Sequence, residues 1–473
     1  MPGEFNATIC TQVRLATHSM APSLSAFLSS ARATCLHGSS NAAHTWTSFT
    51  IVLGNPSADL DSFISAVVYA YFCSASPQRE DHKRLFIPLL NLPTTSARDL
   101  WRLRPEFGTA LKLAQKPVVG QDVSEVSRDE NNKGLLQQLV TVADVRSASK
   151  STPISLFSDR PNTKNDYVLV DHNALTIPTQ RTEDLSRHVN IIGCIDHHVD
   201  ESYVPSNASP RIIRTGIGSC TSLVVKHLRD SQLWPVPDDG YATGELARLA
   251  LAPILIDTIN LTAEDKVSDT DRDAVAFLES CILSTSTSTS AQKEWNRKSF
   301  YDEIATTKAN SLDLLTLPEI FGRDYKEWTE STKAGEKFTI GISSIARSIT
   351  WLLEKAESVD EFLKLVHNFA RKPDHNLDVF GMMTTSTSAN GDFQRELLVI
   401  AFGATASEAL KKFDRKAKNE LRLKSWNESL ELLDSMKSKL TDANGSSSLW
   451  WQQDVAKSRK QVAPLLREVV KEC

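Results

Sequence analysis

Residues 52–72 read VLGNPSADLDSFISAVVYAYF: an apolar run of strand length, a turn holding Asp59 and Asp61 one residue apart, then an apolar run of helix length. Two carboxylates on one short loop repel each other, and their convergence on one point is tolerable only with a cation or a proton between them. Aspartate and serine are also ordinary turn and cap residues, so Ser62 capping the following helix would account for the segment by itself. What decides between the two is whether other acidic loops meet this one.

Outward from this stretch the pattern repeats. FTIVLG (49–54), RLFIPLLNL (84–92), DYVLVDHNAL (166–175) and VNIIGCIDHH (189–198) are apolar runs of strand length separated by segments of helical character. Such alternation predicts an α/β fold with a parallel, doubly wound sheet, whose functional loops gather beyond the carboxyl ends of the strands. Three runs end in polar clusters: Asp59 and Asp61 after the first, Asp171, His172 and Asn173 after the third, Asp196, His197 and His198 after the fourth. Asp257 closes the apolar run LALAPILIDTINL (249–261), where burial without a partner would disfavour its charge. Singly these are turn and cap residues. Together they bring carboxylates and imidazoles from separate loops to one rim.

The 473 residues have ordinary apolar content, enough for two domains with cores of their own. A formal charge of −5 argues against nucleic-acid binding by bulk attraction, so an anionic substrate must be met by a local cationic site. The seven cysteines (10, 35, 73, 194, 220, 281 and 473) are odd in number and include no CxxC pair. That fits neither a disulfide scaffold nor structural zinc and points to a reducing, cytoplasmic setting. No apolar stretch reaches the length of a membrane span, so a soluble protein with no membrane partner is expected. The first 48 residues carry Arg14 and Arg32 against one acid, Glu4, a faint presequence character that makes the mitochondrial matrix the alternative compartment. MAPSLSAFLSSARATCL, from Met20, reads equally well as an amphipathic helix.

LSTSTSTSA (283–291) has no period able to bury a face and is expected to be a flexible linker. The expected division is an N-terminal extension and helix at 1–48, a first domain at 49–282, the linker at 283–292 and a smaller α/β domain at 293–473. In the last, FTIGISSIARSITWLL and RELLVIAFG supply strands and helices, and KKFDRKAKNELRLK (411–424) reads as a solvated helix face. A monomer is compatible with all of this.

Several carboxylate oxygens with one or two imidazoles make a hard-ligand site suited to Mg²⁺ or Mn²⁺, with donors enough for two divalent cations. Two such ions roughly 3.5 to 4 Å apart are the usual device for in-line phosphoryl transfer to water. GNPSADLDS, VDHNAL, IDHHVDE and LIDT, in this order, resemble the four motifs of the DHH phosphoesterase superfamily, and GSCTSLV (218–224) fits the same pattern. Beyond the linker, FGRDYKEW (321–328), RELLV (395–399) and SRKQVAPLL (458–466) resemble the DHHA2 type of C-terminal domain. The resemblance covers nearly the whole chain from about residue 20. It is nearest to the fungal cytosolic exopolyphosphatases, then to the prune-type phosphatases. The family II inorganic pyrophosphatases are further off, because Asn55 stands where their pattern has a metal-binding histidine.

The resemblance implies Asp59, Asp61, Asp171, His197 and Asp257 as metal ligands, with Asp171 bridging the ions and sharing the catalytic work with His198, which would face the substrate phosphate. It implies phosphate contacts from Lys326, Arg459 and Lys460, and an active site in the cleft between the domains. Asn55 would turn an amide oxygen toward ion or substrate, a weaker ligand than imidazole. Arg395 is a lesser candidate, since RELLV also reads as the start of a strand. The implied activity is removal of terminal orthophosphate from inorganic polyphosphate. Its rivals are a prune-like short-chain polyphosphatase or pyrophosphatase, and a non-catalytic scaffold, against which the full acidic set argues. The nucleases and cyclic-dinucleotide phosphodiesterases of the superfamily carry a glycine-rich C-terminal element, whereas this chain has no Gly-Gly pair.

Overall fold

The computed structural model describes residues 22–37, 48–75, 84–115, 134–148, 165–176, 189–234, 241–284, 295–313, 315–388, 390–427, 434–435 and 445–473. The first domain is built on five parallel strands: β1 (Ser48–Leu53), β2 (Arg84–Leu89), β3 (Asn165–Val170), β4 (Val189–Asp196) and β5 (Arg211–Ile213), in the order β2-β1-β3-β4-β5. The four long strands are the four apolar runs of the sequence, continuously apolar because both faces are covered. β1 lies between β2 and β3, so the chain reverses its winding there and opens a crevice at the carboxyl ends of β1 and β3.

The helix Leu60–Ala75 is buried from Leu60 through Cys73, as an all-round apolar helix must be, and packs against the helices Cys220–Asp230 and Tyr241–Asp257. Phe63 stacks on Phe107 with centroids 4.6 Å apart and Phe72 on Trp234 at 4.2 Å, each worth roughly 1 kcal/mol beyond area burial. The expected N-terminal helix is Leu24–His37, which buries Leu24, Phe27, Leu28 and Ala31 in the same core. Residues 1–21, and with them the presequence reading, lie outside the described residues, as does most of the Ser/Thr tract. After it, the helix Arg297–Asn310 still packs Phe300 and Ile304 into the first core, and the second core begins at Leu312.

The second domain carries a six-stranded sheet: β6 (Tyr325–Ser331), β7 (Lys337–Ile345), β8 (Val379–Thr387), β9 (Phe393–Ala401), β10 (Leu423–Ser425) and β11 (Ser446–Gln452), ordered β10-β11-β9-β8-β7-β6. Only β7 and β8 pair in parallel. On β9, Leu398 and Ile400 enter one core with Phe321, Phe362 and Phe380, while Leu397 and Val399 enter the other with Ile340, Ile342 and Phe413. The period of two explains why RELLVIAFG is apolar throughout. The basic helix, Ala404–Glu420, turns Phe413 and Ala417 inward and leaves Lys411 and Lys418 exposed, the solvated face expected of it. The domains meet where residues 100–106 face the helix Leu317–Arg323: Arg102 pairs with Glu319 at 2.8 Å, and Arg323 Nη2 reaches both oxygens of Glu106 at 2.7 Å.

Candidate active site

The loop after β1 is shaped by its own side chains. Asn55 Oδ1 accepts from the amides of Ser57 (2.8 Å) and Ala58 (3.1 Å), and Asp59 Oδ1 accepts from Ser62 N at 3.0 Å, capping the helix Leu60–Ala75. The cap is therefore Asp59, which frees Ser62 for other work: its hydroxyl accepts from Asn55 N and donates to Asp171 Oδ2 at 2.6 Å. Asn55 Nδ2 donates to the same oxygen at 2.7 Å. In this geometry the Asn55 amide oxygen closes the turn, and the residue meets Asp171 through its NH₂ group.

Asp171 follows β3 with φ +62°, a left-handed conformation that aspartate tolerates better than most residues and that marks a constrained site. Its Oδ1 lies 3.2 Å from His197 Nε2 and 3.7 Å from His198 Nδ1. Among the described residues, Asp171, His197 and His198 are the group whose ligand atoms all fall within 4.8 Å of one another. His197 Nδ1 donates to the Ile217 carbonyl (3.0 Å), which aims Nε2 at Asp171. His198 Nδ1 donates to Asp196 Oδ1 at 2.7 Å, leaving Nε2 as a proton acceptor. Asp196, fully buried, also accepts from Asn173 Nδ2 at 2.6 Å, so it orients His198 without itself facing the cleft. His172 is set apart: it is buried, with Nδ1 on the Val170 carbonyl.

Asp61 does different work from Asp59. Its Oδ1 accepts from Ser219 Oγ, Thr221 N and Thr221 Oγ1 at 2.7–2.9 Å, and its Oδ2 accepts from Cys220 N at 2.7 Å, which anchors the start of the helix Cys220–Asp230. The same loop is held from behind by Asp271, also fully buried, which takes Gly218 N at 2.9 Å and Ser222 Oγ at 2.6 Å. Gly218 has no room for a side chain: a Cβ would sit 2.6 Å from Thr258 Cγ2 and 2.8 Å from the Lys266 carbonyl. Asp257 ends the helix Tyr241–Asp257, just before Thr258.

The electrostatics ask for a cation. Burial, then Asp59 and Asp61, push the Asp171 carboxyl up to about 7 against the pull of His197. Burial, Asp61 and Asp59 likewise raise Asp257 well above the carboxylate range. Burial works against a charged His197, but the hydrogen bond and charge of Asp171 outweigh it and lift the imidazole to about 9. Burial lowers His198 to about 4 despite Asp196, helped by the charges of Lys460 and His197, and keeps the ring neutral. Repelling buried carboxylates beside an imidazole whose Nε2 is already aimed at one of them form a donor set that fits hard divalent cations.

The second domain delivers the countercharge. Lys326, on β6, is pushed down by burial and Arg459 against the opposing pull of Asp324, Asp171 and Asp59. Lys460 stands near enough for its charge to act on both His197 and His198. Arg459 grips Asp324, with Nη2 on Oδ1 at 2.6 Å and Nη1 on the carbonyl at 2.7 Å. Arg395 donates Nε to the Val455 carbonyl and lies over the Phe393 ring.

A doubly wound sheet ending in acidic and histidine loops, faced by cations from a second mixed sheet, defines the class. Residues 50–254 match the DHH family, N-terminal domain, and residues 302–469 the DHHA2 domain; the chain belongs to the DHH phosphoesterase family, whose members are divalent-metal-dependent hydrolases. A "Putative exopolyphosphatase" of Schizosaccharomyces pombe is 31% identical over 90% of this chain and 92% of its own. "Exopolyphosphatase PRUNE1" of Homo sapiens is 22% identical over 89% of this chain and 75% of its own. The solved structure of a putative family II inorganic pyrophosphatase from Methanococcus jannaschii superposes with a TM-score of 0.46 at 18% identity, covering 89% of this chain and 99% of that one. Among the described residues no helix is long and apolar enough to cross a membrane.

Proposed function

We propose that the protein is an exopolyphosphatase that removes terminal orthophosphate from inorganic polyphosphate in the cytoplasm. The observation that carries this reading is the facing of the Asp171–His197–His198 cluster by Lys326 and Lys460 from the other domain: an acidic, cation-seeking floor under a cationic roof suits a polyanion that brings its charge to the metals. The 31% identity to the fission-yeast protein supports it. Asp59, Asp61, Asp171, His197 and Asp257 would hold two divalent cations, Mg²⁺ or Mn²⁺, with Asp171 shared. For Asp61 this means adding a ligand to an oxygen that already accepts hydrogen bonds.

When bound, the cations neutralise phosphate charge and activate the attacking water. The chain's own groups then divide the remaining work. His198 Nε2, neutral and fixed by Asp196, would take the proton that the attacking water gives up, and that proton passes on to the oxygen of the departing chain. Lys326 and Lys460 compensate charge on the transferred and leaving groups, and Arg459 holds Asp324 and through it the start of β6. Asn55 and Ser62 keep Asp171 turned toward the cleft.

The test is to incubate the purified chain with Mg²⁺ or Mn²⁺ and long polyphosphate, tripolyphosphate, pyrophosphate or a cyclic dinucleotide, following orthophosphate release and chain length. Orthophosphate from long chains without mid-sized fragments supports the proposal. Release from tripolyphosphate or pyrophosphate alone would replace it with the short-chain reading, and no release from any would remove it.

A further inference from the structure

The DHH and DHHA2 motifs leave one buried cation without a role. Arg104 lies between the short helix Leu100–Leu103 and the helix Pro105–Ala114, 6% exposed. Its Nη2 donates to two carbonyls that belong to different domains, Ser57 at 2.9 Å and Arg323 at 2.5 Å. On the first side, the Ser57 amide is hydrogen-bonded to Asn55 Oδ1, and Asn55 Nδ2 is bonded to Asp171. On the second, Arg323 precedes Asp324, which Arg459 grips, and Lys326 stands two residues further on. The contact is reciprocal, because the Arg323 guanidinium returns across the interface to both oxygens of Glu106. Beside it a cavity of about 520 Å³, lined by Pro56, Arg104, Leu315, Arg323, Tyr325 and Phe369, separates the domains. Leu103 of the first domain packs against the second core next to this cavity, and at Arg104 itself the contact between the domains is polar and directional.

We propose that Arg104 is a positioning residue for the hydrolytic site: by binding the Ser57 and Arg323 carbonyls at once, it sets the distance at which the cations of the second domain face Asp171, His197 and His198. Both bonds leave from the one terminal nitrogen, Nη2, at the end of a side chain one bond longer than lysine's, so a lysine ammonium in its place falls short of the pair of carbonyls. As a statement about catalysis this rests on the phosphohydrolase reading above; as a statement about domain spacing it does not.

The experiment compares the full chain with Arg104→Leu, Arg104→Lys and Arg102→Leu, the last breaking an ion pair of the same interface that is roughly a third exposed and touches neither carbonyl. Steady-state kinetics on tripolyphosphate with Mg²⁺ and small-angle X-ray scattering are read side by side. For Arg104→Leu the expected result is a fall in kcat/KM of about 30-fold or more, carried mostly by KM, with a larger radius of gyration than the parent. Arg104→Lys should lie between, and Arg102→Leu within about threefold of the parent. If Arg104→Leu does not fold, Arg104→Lys is judged by the same two readouts. An unchanged scattering profile, or kinetics no worse than those of Arg102→Leu, would overturn the proposal even if the melting temperature drops. A parent inactive on every polyphosphate, with the scattering difference intact, would remove the functional reading and leave the spacing role standing.

Discussion

Each domain buries a carboxylate in its sheet region, and the two are handled in opposite ways. Glu396 on β9 is fully buried and accepts from Ile349 N, Thr384 Oγ1 and Trp426 Nε1, each at 2.7 Å. Its partners are neutral donors, so the charge is solvated by the protein and the residue ties a helix start and an indole to the sheet. Asp171 is as deeply buried and takes two neutral donors, but its other oxygen faces imidazoles, with Asp59 and Asp61 adding repulsion. A satisfied buried carboxylate holds structure together, whereas one left in repulsion marks a place kept for a ligand.

The largest expected effect is that of Asp171→Ala. Hydrolysis of tripolyphosphate should fall about 1,000-fold or more while the melting temperature stays within a few degrees of the parent, since the substitution also relieves repulsion. Residual activity within tenfold of the parent would place the reaction elsewhere. Glu396→Ala should behave inversely. Three buried donors lose their acceptor, so urea unfolding should show a loss of roughly 3 kcal/mol with the turnover of the folded fraction unchanged. A loss below about 1 kcal/mol would mean the pocket collapses or admits water. Lys326→Ala should raise KM for tripolyphosphate by roughly tenfold, more at low ionic strength than at high, with kcat changed less. An effect confined to metal affinity would move Lys326 out of the substrate's path.

The smallest effect concerns the domain contact at Glu319, which the hydrogen bond and charge of Arg102 hold down to about 2. A carboxylate with a depressed folded pKa adds stability that is fully present above its unfolded value near 4.5 and is lost as pH falls through 2. Both partners are roughly a third exposed, so screening keeps the contribution well under 1 kcal/mol. Comparing acid unfolding of the parent and Glu319→Gln between pH 5 and pH 2 should show the difference vanishing toward the acid end. A difference that grows there would reverse the assigned sign.

Much of the site was legible because its residues sit in sequence where apolar runs stop. Strands β1 to β4 are visible in that punctuation, as are Asp59, Asp171, His197, His198 and Asp257 at the ends of apolar runs, of which Asp171, His197 and His198 come together as one cluster among the described residues. What stayed hidden depends on partners distant in sequence. Asp61 looked like the twin of Asp59, yet its hydrogen-bond partners Ser219, Cys220 and Thr221 lie 158 to 160 residues on. Asp271 supports a loop 53 residues upstream, at Gly218, and looks like an ordinary acid in a helix's first turn. β5 spans three residues, too short to show a period. Asp196 stands in plain view in IDHHVDE, but its role as the orienter of His198 depends on the 2.7 Å contact.

Gly218 locks two loops of the site to each other. The loop that offers the Ile217 carbonyl to His197 threads against Thr258 and the Lys266 carbonyl with no space for one extra carbon. The segment that follows Asp257 and the segment that steers His197 are therefore interlocked parts, like two teeth of one gear. A designer who wishes to retune this site by transplanting loops from a relative must move 215–222 and 256–268 as a single cassette. Either one exchanged alone should jam against its neighbour and turn His197 away from Asp171.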